Sequence, residues 1–134
     1  MEVLEPAGQS YAVVLVAHGL NLQAHAMREV YEPLLQRGAT IVLLRLRGHV
    51  MEGAPDAEVL EEWRSVEPRA WLNDWRAAVR VADQLASSRG VPLVFVGYSL
   101  GTLVHVHGLA TTPDRKSTRL NSSHIQKSRM PSSA

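Results

Sequence analysis

The feature that most constrains this chain is the pentapeptide Gly-Tyr-Ser-Leu-Gly at residues 97–101. An apolar run at residues 91–96 precedes it and further apolar residues follow, so the pattern predicts a strand that turns directly into a helix. Side chains at positions 97 and 101 would collide with the neighbouring strand and helix, which explains why Gly97 and Gly101 are glycines. We interpret the motif as a nucleophile elbow, which holds the hydroxyl of Ser99 in a strained, exposed position.

Two buried strands are predicted upstream of this motif. Residues 11–17 and 40–46 are continuous apolar runs rich in β-branched residues, which is typical of strands buried on both faces of a parallel sheet. Apolar residues at helical spacing over 24–35 predict an intervening helix, which ends at Gly38 and is kinked by Pro33.

The second half of the pattern repeats this alternation. Residues 50–69 carry several acids and two prolines and are expected to form a surface loop. A longer apolar stripe over 71–86 predicts a second helix that ends at Gly90. The third strand is expected at 91–97 and a third helix at 100–109.

Strands that alternate with helices predict an α/β fold, with three parallel strands and helices on both faces. We expect the first strand to lie in the middle, so that a topological switch point separates it from the third strand. Ligands bind at the carboxyl ends of strands beside such a point, where Ser99 would lie. Three strands would leave two apolar edges unpaired, and such edges promote aggregation.

The composition changes abruptly at residue 114. Both lysines and six of the eleven serines fall within residues 114–134, which show no apolar periodicity. Residues 114–124 and 128–134 also resemble, in one reading frame, the translation of a short-read sequencing adapter. We therefore expect residues 1–113 to be a partial domain of a fragment from environmental, metagenomic sequencing, and 114–134 to be a disordered, non-native tail.

The composition of residues 1–113 excludes several classes of function. Nine arginines against twelve acidic residues give a net charge of −3, so no basic surface for nucleic acid is indicated. Cysteine is absent, which excludes disulfides and thiolate chemistry. The longest apolar run, at 11–17, is too short to span a membrane, and acids rather than bases precede it, unlike a secretory signal. The cytoplasm is the favoured location, and the sequence does not indicate an oligomeric state.

These residues together resemble the α/β-hydrolase superfamily over roughly residues 11–110. The resemblance rests on an apolar strand that ends in His18-Gly19, on the Arg-Leu-Arg-Gly-His segment at 45–49, on a Trp-bearing helix and on the 97–101 motif. It is closest to the branch of monoglyceride lipases, small carboxylesterases and serine aminopeptidase-like proteins. The expected fold is therefore the N-terminal part of an α/β-hydrolase domain, truncated before its later strands.

The resemblance implies a role for each matching residue. Ser99 would be the nucleophile, and the backbone N–H groups of Leu20 and Leu100 would form the oxyanion hole. His18 and Gly19 would shape the loop that carries the first of these donors. The substrate would be a small-molecule ester or acyl compound, with no cofactor, no metal and no nucleic-acid partner.

The chain departs from the family pattern in two respects. The family often has a small residue after the second elbow glycine, where this chain has Thr102, and this is expected to loosen packing between helix and strand. The family also requires an acid and then a histidine after the serine. His105 and His107 lie about 9–12 Å along the helix axis from Ser99, too far to accept its proton. We therefore expect the chain as given to be inactive.

Simpler interpretations compete at the remaining candidate residues. His105 and His107 point about 200° apart on a helix and cannot share one metal ion. Trp71 and Trp75 are expected to be core residues, and His18 is a weaker candidate for a base than for a structural role. The leading function is hydrolysis of carboxylic esters through an acyl-enzyme. The alternatives are a serine peptidase, a thioesterase or a non-catalytic binding module on the same fold; a phosphate-binding loop is disfavoured because the motif lacks a P-loop lysine.

Overall fold

The computed structural model describes residues 1–19, 24–47, 57, 67–112 and 119–120. These residues form a five-stranded sheet with three α-helices and one short 3-10 helix at Ala24–Met27. The strands are β1 (Glu2–Leu4), β2 (Ala12–Ala17), β3 (Ala39–Leu44), β4 (Leu93–Gly97) and β5 (Arg119–Leu120). The α-helices are α1 (Arg28–Gln36), α2 (Pro68–Arg89) and α3 (Leu100–Ala110).

The order of the strands in the sheet is β1-β3-β2-β4-β5. β2 pairs in parallel with β3 on one side and with β4 on the other, so the predicted central position of the first long strand is confirmed. Ala17 at the end of β2 is level with both Leu44 and Gly97. The carboxyl ends of the three long strands therefore meet at one edge of the sheet, which is where ligands bind in folds of this kind.

The two faces of the sheet are covered by different helices. Alternate residues of β2 and β3 point to opposite faces, because side chains in a strand alternate. One face packs against the 3-10 helix through Met27 and against α1 through Tyr31, and the other packs against α2 and α3 through Trp75 and Val104. Every residue of β2 and β3 is buried, as expected for a sheet covered on both sides.

Local signals determine where α2 begins and ends. Pro68 occupies the first turn, where a missing N–H costs no hydrogen bond. Gly90 ends the helix in the left-handed conformation at φ 66°, and the next N–H, of Val91, donates to the Ala86 carbonyl at 3.0 Å. The helix starts three residues before the predicted 71. Pro33 lies inside α1, and the expected kink there stays a prediction.

The three predicted parallel strands are present, and the sheet has one more strand at the outer edge of β3, where β1 pairs antiparallel. Three residues form β1 and two of them are exposed, so the sequence carries no apolar pattern that would predict a strand. An ion pair with α2 holds the end of β1 in place. Arg89 Nη1 and Nη2 donate to the carboxylate of Glu5, the residue after β1, at 2.9 Å and 2.8 Å. Arg89 Nη1 also donates to Thr40 Oγ1 at 2.8 Å, which ties the pair to β3.

The opposite edge of the sheet differs from expectation as well. Arg119–Leu120 forms β5 and pairs in parallel with Val94 and Phe95 of β4. An open strand edge offers unpaired N–H and C=O groups to any nearby backbone, which explains this pairing, and the expected non-native tail at 114–134 stays a prediction. The other residues of that segment lie outside the described part of the chain.

We predict that Arg89→Met lowers the soluble fraction of the chain, because loss of the guanidinium releases β1 and opens the edge of β3. The hydrogen bonds from Arg89 stabilise the charged form of Glu5 and hold the pKa of that carboxyl below its ordinary value. Sedimentation and light scattering after expression would measure the change.

The matched control is Glu32→Gln on α1, which breaks an exposed i,i+4 pair with Arg28 at 3.4 Å. Such surface pairs contribute little, so its soluble fraction should match that of the unsubstituted chain. Equal solubility for Arg89→Met and Glu32→Gln would contradict a role for the Arg89–Glu5 pair in protecting the edge.

Candidate active site

Ser99 has the backbone conformation that a nucleophile elbow requires. Its φ of 53° and ψ of −113° make it the one non-glycine residue with positive φ among those that the structure describes. A non-glycine residue in this region costs of order 1–3 kcal/mol and persists only where the surroundings impose it. The residue is exposed at the carboxyl end of β4, and within the described residues its hydroxyl makes no hydrogen bond.

The two elbow glycines show why the turn is so tight. A Cβ at Gly97 would lie 2.7 Å from the Thr102 nitrogen, and one at Gly101 would overlap the carbonyl oxygen of Ala17. The N–H of Tyr98 donates to that same Ala17 carbonyl at 3.1 Å. Glycine is therefore needed at both positions, because α3 starts in direct contact with the end of the central strand.

The first turn of α3 presents a backbone donor beside the nucleophile. The N–H groups of Gly101 and Thr102 are used locally, by the carbonyls of Tyr98 and Ser99 at 2.9 Å and 3.0 Å. The N–H of Leu100 has no partner within the described part of the chain. Free N–H groups at a helix start attract negative charge, so this donor suits an oxyanion next to Ser99.

The loop after β2 lies against the elbow. A Cβ at Gly19 would be 2.8 Å from the ring of Tyr98 and 3.2 Å from its carbonyl oxygen, so only glycine allows this approach. The structure therefore brings together three of the predicted features: Ser99, the start of α3 and the His18-Gly19 pair. Leu20, the other predicted oxyanion donor, lies outside the described residues.

His18 is buried, and both of its ring nitrogens have hydrogen-bond partners. The N–H of Leu46 donates to Nε2 at 3.0 Å, so Nε2 must carry a lone pair. The proton of the neutral ring is then on Nδ1, which lies 2.9 Å from the Gly19 carbonyl oxygen and donates to it. This geometry places the ring beneath the loop and leaves no nitrogen directed at Ser99.

His105 forms a second buried polar network, on the other side of the elbow. Trp75 Nε1 donates to its Nδ1 at 2.9 Å, and its Nε2 donates to the Val96 carbonyl at 2.9 Å. The His105 ring contacts Phe95 edge-on at a centroid distance of 5.2 Å. A Cβ added at Gly97 would lie 2.9 Å from His105 Cδ2, so the ring also lies close to the elbow. These two hydrogen bonds make His105 a bridge between α2 and β4. The sequence analysis excluded His105 as a base but did not predict this structural role.

The His105 network predicts a pH dependence of stability. Burial lowers the pKa of His105 to about 4, against an ordinary value of 6.5. Between these values the unfolded chain binds a proton that the folded chain does not, so stability is highest above pH 6.5 and falls toward pH 4. The loss from this group is roughly 3 kcal/mol across that range.

Urea unfolding of the unsubstituted chain and of His105→Gln, each from pH 7 to pH 4, would measure this contribution. His105→Gln is less stable at pH 7 but should lose less stability on acidification, because it has no imidazole to protonate. The difference between the two curves isolates this group from the carboxylates. Parallel curves would show that His105 does not contribute.

Thr102 is the residue at which the chain departs from the family pattern. Its Oγ1 is the one buried side-chain polar atom without a hydrogen-bond partner among the described residues. An unsatisfied buried hydroxyl costs about 1–3 kcal/mol. The backbone nitrogen of Thr102 lies 2.7 Å from where a Cβ of Gly97 would be, so the residue with the unpaired hydroxyl is in contact with the elbow.

We predict that Thr102→Val stabilises the chain by about 1 kcal/mol, because valine keeps the shape and replaces the unsatisfied hydroxyl with a methyl group. The control is Thr111→Val at the end of α3, where Oγ1 donates to the His107 carbonyl at 2.9 Å. That variant should be neutral or destabilised in the same urea titration. Stabilisation of both variants to the same extent would exclude the orphan hydroxyl as the cause.

An apolar groove runs between α2 and α3, with a volume of about 230 Å³. Leu103, which is 66% exposed, lies one helical turn after Ser99, and its N–H donates to the Ser99 carbonyl at 3.2 Å. The groove therefore begins on the helix that starts at the nucleophile. Its lining residues are Pro68, Trp71, Leu72, Leu103, Val104 and His107.

The described residues hold neither a cluster of metal ligands nor a membrane-spanning helix. Within the described ranges, no three histidine, cysteine or acidic side chains come close enough together to hold a metal ion. None of the helices in the same ranges combines the length and the apolar character that crossing a membrane requires.

A family model described as the alpha/beta hydrolase family matches residues 13–130 of the chain. The chain belongs to this family. The matched range contains the elbow, the His18-Gly19 pair and most of the C-terminal segment, whose resemblance to an adapter stays a prediction.

Two solved structures illustrate the similarity. One comes from work titled "LipS and LipT, two metagenome-derived lipolytic enzymes increase the diversity of known lipase and esterase families". It is 28% identical with a TM-score of 0.66, and the match covers 90% of this chain and 45% of that one. The other, titled "Lipase (Open form)", is 20% identical with a TM-score of 0.56, covers 88% of this chain and 37% of that one, and shows the fold alone.

The chain therefore spans less than half the length of either structure. A search of curated proteins finds no match. The comparisons therefore show membership of the alpha/beta hydrolase family and a structural similarity to lipolytic enzymes.

Proposed function

We propose that the chain is part of a serine hydrolase that cleaves carboxylic esters through an acyl-enzyme on Ser99. The observation that carries this proposal is the backbone of Ser99, whose positive φ lifts the hydroxyl out of the turn at the carboxyl edge of the sheet. A serine with only a structural role would not need this strained conformation.

In the proposed reaction, Ser99 Oγ passes its proton to a general base and attacks the ester carbonyl carbon. The bond to the leaving oxygen breaks as that oxygen takes the proton, so an alcohol leaves, and water then hydrolyses the acyl-enzyme to the acid. Negative charge develops on the carbonyl oxygen, where the N–H groups of Leu100 and Leu20 would stabilise it. By analogy with other enzymes, each such donor contributes about 3 kcal/mol to the transition state. The unused N–H of Leu100 supports this assignment, and the contact between Gly19 and Tyr98 supports placing the second donor nearby.

The reaction also needs a general base, and none of the three histidines whose side chains the structure describes supplies one. Both nitrogens of His18 and of His105 are used in buried hydrogen bonds, and His107 lies two turns along α3. In the family, the acid and the histidine follow the serine on later strands. We therefore propose that the 134-residue chain is inactive by itself and that the whole protein supplies the missing pair.

The apolar groove that begins at Leu103, one helical turn after Ser99, supports an apolar acyl group as the part of the substrate that binds there. Its walls carry no fixed charge opposite a charged substrate, since His107 is its one titratable lining residue. A peptidase or a thioesterase would use the same acyl-enzyme chemistry, and parallel assays with amide and thioester substrates separate these alternatives. A non-catalytic binding module would not react with an acylating probe at all.

We predict that a fluorophosphonate probe labels Ser99 in the protein extended through its later strands, and that Ser99→Ala abolishes labelling. Ester turnover should fall by on the order of 10⁴ to 10⁶ in the same variant, because no other group replaces the nucleophile. Mass spectrometry of the labelled peptide identifies the site.

Ser88→Ala is the matched control, since Ser88 Oγ donates to the Leu85 carbonyl at the far end of α2. Labelling and turnover in that variant should equal those of the unsubstituted protein. Retention of label in Ser99→Ala would refute the proposal. Turnover by the unextended chain would refute the part that places the base elsewhere.

A further inference from the structure

The end of β2 and the elbow pack against each other through one glycine on each side. A Cβ at Gly19 would lie 2.8 Å from Tyr98 Cδ2 and 3.2 Å from the Tyr98 carbonyl oxygen. In the other direction, a Cβ at Gly101 would lie 2.7 Å from the carbonyl oxygen of His18. Both contacts therefore require a residue without a side chain, and together they fix the distance between the two segments.

Tyr98 lies between these segments and is held by its backbone and by its ring. Its N–H donates to the Ala17 carbonyl at 3.1 Å, and its own carbonyl accepts from the Gly101 N–H at 2.9 Å. The ring covers the buried Gly19 with Cδ2 and Cε2 and is otherwise 39% exposed. Within the described part of the chain its hydroxyl makes no hydrogen bond, so the ring carbons alone make this contact.

The contact restrains the backbone of the next residue. Ser99 has a φ of 53°, and a conformation of this kind persists only where the surroundings impose it. A relaxed φ would require the peptide between Tyr98 and Ser99 to turn, because φ and ψ are the only soft torsions of the backbone. That turn would move the Tyr98 carbonyl, which lies against Gly19, and would lift the ring from the same glycine.

We propose that Tyr98 is a positioning residue for the nucleophile, acting through the contact of its ring with Gly19. The inference rests on the proposed function, because it relates the backbone conformation of Ser99 to the acylation step. Since ring carbons make the contact, phenylalanine at this position preserves it and alanine removes it.

The first measurement is the rate at which a fluorophosphonate labels Ser99 in the protein extended through its later strands. Tyr98→Phe should label within about twofold of the unsubstituted rate, and Tyr98→Ala should label at least about tenfold more slowly, because a nucleophile that is out of place reacts poorly. An unchanged rate in Tyr98→Ala, or an equal loss in both variants, would overturn the proposal. Should Tyr98→Ala fail to fold, Tyr98→Leu takes its place, because leucine keeps apolar bulk but has no flat ring.

Tyr11 provides a matched control at the opposite edge of the sheet, where β2 begins. Its ring is 53% exposed and lies 3.0 Å from where a Cβ of Gly38 would be, so it covers a glycine much as Tyr98 does. Tyr11→Ala should therefore be destabilised in urea as Tyr98→Ala is, but should keep the unsubstituted labelling rate. An equal loss of labelling in Tyr11→Ala would show that general destabilisation is the cause and would overturn the proposal.

The second measurement uses the close approach itself. Gly19→Ala places a methyl group against the Tyr98 ring and should slow labelling, and removal of the ring in Gly19→Ala/Tyr98→Ala should restore part of that loss. The double variant should then label faster than the product of the two single effects predicts. Independent effects of the two substitutions would show that the ring and Gly19 are not coupled, which would contradict the proposal.

A readout without catalysis separates this proposal from the assignment of the nucleophile. The three-bond coupling between the N–H and Hα of Ser99, measured by NMR in the 134-residue chain, reports its φ. The coupling should be the same in Tyr98→Phe as in the unsubstituted chain and should change in Tyr98→Ala. Absence of label in every protein, the unsubstituted one included, would refute the nucleophile and leave this coupling result intact. An unchanged coupling in a folded Tyr98→Ala would remove the role of Tyr98 and leave the nucleophile standing.

Discussion

The contact between the first turn of α3 and the end of β2 is the constraint on which the candidate site depends. The carbonyl oxygen of Ala17 accepts the Tyr98 N–H and at the same time lies where a Cβ of residue 101 would be. The helix can start this close to the central strand only because glycine stands there. The chain must then reverse within a few residues, and Ser99 is left with a positive φ and its side chain in solvent. The parallel pairing of β2 with β4 therefore both buries β2 and places the Ser99 hydroxyl at the carboxyl edge of the sheet.

Two buried histidines hold the segments on which this turn depends, and they do so in opposite tautomers. His18 is protonated on Nδ1 and holds the loop after the central strand, whereas His105 is protonated on Nε2 and holds the Val96 carbonyl just before the elbow. A buried imidazole can satisfy one donor and one acceptor at once, so each ring joins two segments without leaving a polar atom unpaired. Each ring therefore fills a structural position, and neither is available as the base that Ser99 would need.

The parts of the fold that follow from local patterns were predictable from the sequence. The apolar runs gave β2, β3 and β4, and the helical stripe ending at Gly90 gave α2 within three residues of its observed start. β1 was not predictable, because it is too short to show alternation and its place depends on an ion pair between Glu5 and Arg89, 84 residues apart. The pairing of Arg119–Leu120 with β4 likewise depends on an open edge and not on any pattern in those two residues.

The sequence by itself determined that a serine follows a buried strand in a glycine-bounded turn, and that a His-Gly pair ends the central strand. Both are local consequences of apolar runs and of glycine, whose effect on the backbone needs no distant partner. Only the tertiary structure decided which nitrogen of each histidine carries the proton, that the Thr102 hydroxyl is buried without a partner, and that Asp74 reaches the segment after β3. These depend on groups between 9 and 30 residues apart that meet only when the sheet and helices pack, because a hydrogen bond is set by the distance between atoms and not by their separation along the chain.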